Sequence, residues 1–313
     1  MKTPGKRGYR ENYLPDDSLL TETRGLLRHY DLQARKSLGQ HFLIDREVLK
    51  LIIAAAELSI KDTVVEVGPG LGVLTRELAE LCGRVVAVEL DDKLAEILRQ
   101  TLAPCKNITI TNSDILQTTP AALLIKSGLI SETTPAGSFP YKVVANLPYY
   151  ITSLVLRHFL EAKLKPHIMV LMVQKEVADV ITAEPGRMSL LSVSVRFYGE
   201  PSLVSYVPAG CFYPAPEVDS AVVKIRLYPE PLPVTEVDGF FNLVRAGFSA
   251  PRKQIANSMS RGLGWNKENV LPLLEQADVL PKRRAQTLSI NEWQKLWQIF
   301  SKVDGCVNSK STG

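Results

Sequence analysis

The chain has 313 residues, of which 45% are hydrophobic and 22% are charged, and its formal net charge is +4. This composition is ordinary for a globular protein and excludes a disordered or fibrous chain. The weakly basic balance allows a polyanionic partner, and it fits a basic enzyme with small substrates equally well. Charge alone therefore does not choose between these two classes.

The cysteines and the apolar runs exclude several other classes. The four cysteines, Cys82, Cys105, Cys211 and Cys306, form no C-x-x-C pair and have no histidine cluster beside them. Neither a zinc site nor a disulfide framework is predicted from this pattern. The N-terminus lacks the apolar core of a signal peptide, and no apolar run approaches the roughly 18 residues of a membrane span. The sequence therefore predicts a cytoplasmic protein with no metal and no membrane partner.

The first part of the chain alternates between strand and helix patterns. Residues 1–25 are polar and contain Pro and Gly, which predicts a mobile N-terminal extension. The alternation that follows predicts an α/β fold with a mostly parallel, doubly wound sheet. The predicted strands are 63–67, 84–90, 107–114, 141–146 and 167–174. The predicted helices are 74–83, 91–102, 152–162 and 175–183.

The second part of the chain changes character twice. Two β-rich stretches, LLSVSVRFY (190–198) and VDSAVVKIRLY (218–228), have no clear helix between them and predict an antiparallel hairpin at one sheet edge. A proline-containing linker follows, and then helical patterns predict a small C-terminal α-helical domain. The predicted boundaries are 26–228 for the first domain, 236–303 for the helical domain and 304–313 for a tail. The loop at 128–140 has no clear pattern.

A glycine-rich loop, VVEVGPGLGVL, lies between the first strand and its helix. Its glycines are Gly68, Gly70 and Gly72. This context favours a cofactor loop over a structural tight turn. The dinucleotide fingerprint would have glycine where this chain has Val73, and Pro69 removes a backbone donor that a pyrophosphate needs. Because Glu66 adds a negative charge, the loop suits a cofactor without phosphates, such as S-adenosylmethionine.

Two carboxylates follow successive strands. Glu89 ends the second strand, 21 residues after Gly68, where a carboxylate can accept hydrogen bonds from ribose hydroxyls. Asp114 follows the third strand and is placed to accept from an adenine amino group. Either residue alone is more often a solvated surface group or a helix cap. Their joint position after a glycine loop favours a nucleoside-binding site.

The segment KVVANLPYYITS (142–153) ends an apolar strand with an amide, a proline and two tyrosines. If this strand lies beside the first, its loop faces the glycine loop across the ligand crevice of an open sheet. The Asn146 side-chain oxygen and the Leu147 carbonyl would accept hydrogen bonds from an exocyclic amine and free its lone pair for attack, with Pro148 fixing the turn. Tyr149 would stack on the base, which contributes about 1–3 kcal/mol.

This chemistry needs no general base, because the proton can leave after methyl transfer. The base must be out of its own stack, so single-stranded or loop targets are favoured. A proline-terminated strand with core tyrosines explains the segment equally well when it is taken alone.

Six segments, in the same order along residues 30–300, carry a family resemblance. They are KSLGQHFLID (36–45), VVEVGPGLGVLT (64–75), VVAVELD (85–91), NSDIL (112–116), VVANLPYYITS (143–153) and CFYPAPEVDSAVVKI (211–225). Together they resemble the ribosomal RNA adenine dimethyltransferases, and within that family the bacterial small-subunit enzymes.

The resemblance implies a class I methyltransferase fold, with a Rossmann-like, seven-stranded, mostly parallel sheet and a C-terminal α-helical domain. It implies four methyl transfers from S-adenosylmethionine to the N6 groups of two adjacent adenosines. These lie in the 3′-terminal hairpin loop of 16S rRNA within an immature small ribosomal subunit. It also implies a role in ribosome biogenesis and a monomer. The extension at 1–25 and the loop at 128–140 depart from compact members.

The resemblance also assigns residues. The cofactor-binding positions are His41, Leu43, Gly68, Gly70, Glu89, Asp114 and Asn146. The catalytic positions are Asn146, Leu147, Pro148, Tyr149 and Phe212. Many relatives have Asn in place of His41, and His offers a similar donor. Phe212 matches the aromatic residue that packs on the target adenine opposite Tyr149, and its alternative is a core aromatic at a strand entrance.

Several basic residues are candidate RNA contacts, which would make affinity salt-dependent. They are Arg187, Arg252, Lys253, Lys282, Arg283 and Arg284. For any one of them, solvated surface charge is the more common explanation.

Three other functions stay open at this point. A large-subunit rRNA adenine methyltransferase of the macrolide-resistance type shares the first domain, although NLPY and FYPAPEVDS favour the small-subunit enzyme. A mainly non-catalytic small-subunit assembly factor is the second alternative, against which the intact Glu89, Asp114 and Asn146 argue. A dinucleotide oxidoreductase is disfavoured by Val73 and Pro69.

Overall fold

The computed structural model describes residues 17–33, 40–135, 137–230, 232, 234 and 236–308. Its strands are β1 (Phe42–Leu43), β2 (Thr63–Val67), β3 (Arg84–Glu89), β4 (Ile108–Asn112), β5 (Lys142–Asn146), β6 (Ile168–Gln174), β7 (Gly199–Val207), β8 (Phe212–Tyr213) and β9 (Ser220–Leu227). Its first helices are α1 (Asp17–His29), α2 (Arg46–Ala56), α3 (Val73–Leu81), α4 (Asp92–Thr101), α5 (Pro120–Lys126), α6 (Thr152–Leu160), α7 (Lys175–Ile181) and α8 (Leu190–Tyr198). The C-terminal helices are α9 (Val237–Phe248), α10 (Ile255–Leu263), α11 (Lys267–Gln276) and α12 (Ile290–Asn308).

The seven-stranded sheet has the order β4-β3-β2-β5-β6-β9-β7, and β9 runs against both of its neighbours. The other six strands point the same way, so the prediction of a mostly parallel seven-stranded sheet is confirmed. The predicted first and fourth strands are adjacent, with Val65 opposite Val143. Because the chain order reverses between β2 and β5, a ligand crevice is expected at the carboxyl ends of these strands.

Successive residues of the central strands pack on opposite faces of the sheet. Strand β2 is buried at all five positions, as expected for a parallel strand covered on both sides. Val65 and Val143 face a core formed with α6, α7, α8 and the C-terminal helices. Val64 and Val144 face a second core formed with α2 and α3.

The prediction of a strand at 190–198 is wrong, because this segment forms α8. The alternation of Ser and Val suggested a strand, but Ser189 and Ser192 form a capping box that starts a helix. Val193 and Phe197 are then both buried on the core side of this helix. The antiparallel edge exists one element later, where β7 pairs with β9.

Helix α1 overlaps the segment that was predicted to be a mobile extension. Leu19 and Thr23 are buried in it, and Glu22 forms an ion pair with Arg76 of α3 at 2.9 Å. The predicted boundary at residue 25 therefore falls inside a helix. Residues 1–16, and residues 309–313 of the predicted tail, lie outside the described residues. Helices α2 and α5 were also not predicted.

The C-terminal helices pack closely around tryptophan side chains. A Cβ atom on Gly239 would lie 2.2 Å from the Trp297 ring, and one on Gly247 would lie 2.4 Å from the Trp293 ring. Glycine at these positions of α9 thus allows α12 to approach. Phe240 stacks on Phe197 of α8 with a centroid distance of 5.0 Å, which joins the helical region to the sheet. No helix of the described chain combines the length and the apolar character needed to cross a membrane.

Candidate active site

A cavity of about 540 Å³ opens at the carboxyl ends of the parallel strands. This volume lies within the range of about 300–1,000 Å³ that is typical of small-molecule sites. All the residues predicted to bind the cofactor line it, namely His41, Leu43, Gly68, Gly70, Glu89, Asp114 and Asn146. The sheet therefore brings these seven residues together from segments that are far apart in the chain.

The glycine loop contacts the turn after β5. Gly68 and Gly70 have φ angles of 68° and 60°, a region that glycine adopts without steric cost. A Cβ atom on Gly68 would lie 3.6 Å from Cδ of Pro148. The two loops thus face each other across the crevice, as the sequence predicts.

Glu89 supports the glycine loop and lines the cavity. Its Oε2 accepts a hydrogen bond from the Gly70 N–H at 3.2 Å, and its Oε1 accepts one from the Asp91 N–H at 2.9 Å. Burial raises the pKa of this carboxyl above its ordinary value. Each carboxylate oxygen can accept a further bond, so Glu89 can still bind hydroxyl groups of a ligand.

Asp114 is both a cap and a lining residue. Its Oδ1 accepts a hydrogen bond from the Leu116 N–H at 2.9 Å and starts a short 3₁₀ turn. The cap fixes the carboxylate at the cavity wall while leaving it further acceptor capacity. The two explanations weighed for this residue from the sequence are therefore compatible.

His41 connects three of the motif segments. Its Nδ1 lies 2.7 Å from the Pro214 carbonyl oxygen, so Nδ1 carries the proton and donates it. Its own carbonyl oxygen accepts a hydrogen bond from Nδ2 of Asn146 at 3.1 Å. This bond orients the Asn146 amide with its nitrogen toward His41, which leaves the side-chain oxygen as an acceptor.

Tyr149 is held at both ends. Its hydroxyl lies 2.7 Å from Oγ of Ser220, and its ring stacks on the His41 ring with centroids 5.7 Å apart and planes at 24°. Burial raises the pKa of the Tyr149 hydroxyl. Because the hydroxyl is fixed and neutral, the ring presents a defined flat face to the cavity.

Phe212 occupies a different place from the one predicted. It pairs with Leu43 in the β1–β8 ribbon, is only 3% exposed and is not among the residues that line the cavity. Its ring belongs to the core that also contains Val207 and Val222. The alternative weighed from the sequence, a core aromatic at a strand entrance, matches this position. Leu147 is also buried, while its N–H donates to the Met172 carbonyl at 3.1 Å.

Glu66 is a site residue for which the sequence indicated only a negative charge near the glycine loop. It lines the cavity, is 1% exposed, and its Oε2 has no hydrogen-bond partner among the described residues. Burial, with a smaller contribution from the charge of Glu89, raises the pKa of Glu66 to about 8. Because a nearby cation stabilises the ionised form of a carboxyl, this buried side chain can accept a cationic ligand group from the cavity. Its apolar surroundings on β2 gave no signal of this.

The cavity as a whole fits S-adenosylmethionine. Its described lining contains four carboxyl side chains and no lysine or arginine, which disfavours a phosphate-bearing cofactor. A sulfonium and an ammonium group match this negative lining, and ribose hydroxyls match Glu89. Among the described residues, no group of His, Cys, Asp or Glu side chains could hold a metal ion.

The candidate RNA contacts come from three adjacent surface segments. The Gly186 and Met188 N–H groups donate to the Gln286 carbonyl at 2.8 and 3.1 Å, and the Ile255 N–H donates to the Arg283 carbonyl at 2.6 Å. These bonds bring the loops of five exposed basic side chains together. The exposed residues are Arg187, Arg252, Lys253, Lys282 and Arg284.

Arg283 is the exception in this group. Its guanidinium forms an ion pair with Glu292 and donates to the Thr287 carbonyl at 2.6 Å. These contacts hold the start of α12, so the Arg283 guanidinium already has partners within the fold.

Comparison with known proteins agrees with this geometry. The family model described as "Ribosomal RNA adenine dimethylase" matches residues 31–302. The chain belongs to this family. A "Ribosomal RNA small subunit methyltransferase A" of Dehalococcoides mccartyi is 52% identical over 91% of this chain and 94% of its own length. One of the same name from Moorella thermoacetica is 42% identical over 90% and 98%.

Two solved structures share the fold over most of their length. A dimethyladenosine transferase from Plasmodium falciparum superposes with a TM-score of 0.70 and 25% identity, covering 84% of this chain and 98% of its own. The 23S rRNA methyltransferase ErmE gives a TM-score of 0.65 and 30% identity, covering 83% of this chain and 99% of its own. The methyltransferase fold expected from the sequence is therefore confirmed.

Proposed function

We propose that this protein dimethylates the N6 groups of two adjacent adenosines in the 3′-terminal hairpin loop of 16S rRNA. The donor is S-adenosylmethionine, and four methyl transfers complete the reaction. The observation that carries the proposal is the Asn146 amide, anchored on the His41 carbonyl at the wall of a carboxyl-lined cavity. An acceptor oxygen beside a site for a cationic methyl donor is what amine methylation requires.

On the donor side, S-adenosylmethionine supplies an electrophilic methyl group when it is bound. Glu89 would accept hydrogen bonds from the ribose, Asp114 would accept from the adenine amino group, and the Gly68 and Gly70 loop would hold the amino acid portion. Glu66, which is 1% exposed, would offset the positive charge of the bound donor from a poorly solvated position. These groups position the donor, and positioning is a major source of rate enhancement in group transfer.

On the acceptor side, the Asn146 side-chain oxygen and the Leu147 carbonyl accept hydrogen bonds from the target amino group. These bonds favour a pyramidal nitrogen and free its lone pair for in-line attack. Tyr149 stacks on the base and keeps it outside its own RNA stack. The proton leaves after methyl transfer, so no residue has to act as a general base.

The substrate is proposed to be rRNA within an immature small subunit, bound by a monomer in the cytoplasm. Relatives with 52% and 42% identity carry the name of a small-subunit methyltransferase, which supports this substrate. The exposed basic loops around Gln286 offer phosphate contacts. The shared fold of ErmE makes 23S rRNA the second candidate.

The test uses small subunits purified from cells that lack this methylation. They are incubated with the protein and methyl-labelled S-adenosylmethionine, and the label is mapped by mass spectrometry of RNA fragments. Dimethyladenosine at two adjacent loop positions is the expected result. Label only on naked 23S rRNA would instead support the large-subunit function.

A role in subunit assembly is tested separately. An Asn146→Ala variant that binds immature subunits without methylating them would separate assembly from catalysis. Bound subunits without any label from the wild-type protein would favour an assembly factor that has kept the methyltransferase fold.

A further inference from the structure

The mouth of the cavity is surrounded by exposed apolar side chains. Among the described residues, five large apolar side chains are more than half exposed. Three of them, Leu90, Tyr150 and Leu154, line this cavity at 54%, 56% and 53% exposure. The other two, Ile60 and Leu280, are not among its lining residues. Exposed apolar surface of this kind marks an interaction site when it is clustered.

Two of these side chains are close in sequence to Tyr149, the residue proposed to stack on the target base. Tyr150 directly follows Tyr149 in the short 3₁₀ turn Tyr149–Ile151, and Leu154 lies four residues later in the first turn of α6. Residues four apart in a helical segment share a face, so Leu154 can support the Tyr150 ring. Tyr149 is fixed through Ser220, whereas the Tyr150 ring projects to solvent.

The charge of the cavity indicates which part of an RNA fits this rim. The described lining includes Glu66, Glu89, Asp91 and Asp114 and no lysine or arginine, so phosphates are repelled there. The flat faces of the bases are the apolar part of a nucleic acid, and they stack on exposed aromatic side chains. The rim therefore suits a base and not the backbone.

We propose that Tyr150, supported by Leu154, is a second stacking platform, which holds the base of the nucleotide next to the target adenosine while the target lies at Tyr149. This inference rests on the proposed function, in which two adjacent adenosines are modified. Extruding one base removes a stacking partner from its neighbour. Tyr150 replaces that partner and keeps the neighbouring nucleotide at the mouth of the site.

The experiment compares Tyr150→Ala, Tyr150→Trp and the matched control Tyr228→Ala. Tyr228 is also exposed, at 37%, but it follows β9 near the amino end of β6, whereas the cavity lies at the carboxyl ends of the parallel strands. We expect kcat/KM for small-subunit RNA to fall about 10- to 100-fold in Tyr150→Ala, the effect of losing one base–aromatic stack. Tyr150→Trp and Tyr228→Ala should keep kcat/KM within about twofold, since a stacked ring remains in both.

A direct readout uses RNA with 2-aminopurine at the nucleotide flanking the target. Its fluorescence should be quenched on binding to the wild-type protein and to Tyr150→Trp, and not on binding to Tyr150→Ala. S-adenosylmethionine affinity, measured by calorimetry, should be unchanged in all three variants. Unchanged quenching and unchanged kcat/KM in Tyr150→Ala would overturn the platform.

Two other outcomes would also overturn it. A loss of S-adenosylmethionine affinity in Tyr150→Ala that accounts for the loss of activity would assign Tyr150 to the cofactor site. Weaker binding to intact subunits with unchanged binding to isolated RNA would assign it to a ribosomal protein contact. Failure of the wild-type protein to methylate small subunits would refute the proposed function instead, and the fluorescence of bound RNA would still decide the platform.

Discussion

Two glutamates at opposite ends of the sheet strands differ in burial and in the presence of a counter-ion. At the amino edge, Glu57 contacts Lys224 and Arg226, and hydrogen bonds from these two residues lower its pKa to about 2. At the carboxyl edge, Glu66 has no cationic partner among the described residues, and burial raises its pKa to about 8. The charge of Glu57 is paired within the fold, whereas the Glu66 carboxyl keeps an oxygen that a ligand in the cavity can contact.

Removing the buried ion pair between Lys142 and Asp62, at the amino ends of the strands, should have the largest effect on stability. Lys142 is 5% exposed and donates to Asp62 at 3.0 Å and to the Glu57 carbonyl. We expect Lys142→Met to lower the free energy of unfolding by about 3–5 kcal/mol, because it leaves the poorly solvated Asp62 carboxylate without its counter-ion and with the Ser59 N–H as a remaining donor. Urea denaturation measures this change.

The control is Lys50→Met, whose ion pair with Glu47 is more than 70% exposed on both sides. It should cost at most about 0.5 kcal/mol. Equal losses in the two variants would show that the Lys142 pair does not serve the fold.

Substitution of Asn146, at the carboxyl ends of the strands, should remove activity and leave stability intact. We expect Asn146→Ala to lower kcat about 100- to 1,000-fold, the usual effect of losing a group that stabilises charge in the transition state. Label incorporation into small subunits measures it, and thermal unfolding checks the fold. Asn269→Ala, at an exposed position of α11, is the matched control. Wild-type activity in Asn146→Ala would place the reaction elsewhere.

Glu66→Gln should change how the stability of the protein depends on pH. Since its pKa rises from 4.5 to about 8 on folding, the folded state holds a proton that the unfolded state has lost within this window. Stability of the free protein therefore falls as the pH rises from about 4.5 to about 8, and Glu66→Gln should lose this slope. Denaturation across this pH range measures it.

Cofactor binding should show the same proton. A cationic ligand favours the ionised form of Glu66, so S-adenosylmethionine binding near neutral pH should release a proton. Calorimetry in two buffers of different ionisation enthalpy counts that proton. Glu66→Gln should bind more weakly and release none, whereas Glu80→Gln, exposed on α3, should match the wild type. Proton release that persists in Glu66→Gln would assign it to another group, such as Glu89.

Much of the site was predictable from the sequence because the carboxyl ends of parallel strands lie on the same side of the sheet. Glu89 and Asn146 end their strands and Asp114 closely follows one, so the order of the strands was enough to bring them to the glycine loop. Phe212 was not predictable in the same way, because its position depends on the β1–β8 pairing with Leu43, 169 residues away in the chain. The strand predicted from the alternating serines and valines of α8 was wrong because the capping box started a helix there.

The distinction between Glu57 and Glu66 was also beyond the sequence. Both follow apolar residues, and nothing local states which of them has a cation nearby. The partner of Glu57 is Lys224, 167 residues away, brought close by the sheet order. Tertiary contacts of this range decide whether a carboxyl is part of the scaffold or of the site.

The smallest expected effect is that of Glu57→Gln, at a side chain that is 48% exposed. The depressed pKa of Glu57 contributes stability that is fully present above about 4.5 and is lost as the pH falls through about 2. Because solvent screens the pair, the loss at neutral pH should be below about 1 kcal/mol. The difference between wild type and variant should vanish near pH 2, by urea denaturation. Stability from Glu57 rises with pH between about 2 and 4.5, whereas stability falls with pH between 4.5 and about 8 because of Glu66. A Glu57 variant whose deficit persisted in acid would therefore show that packing, and not its charge pairs, makes the contribution.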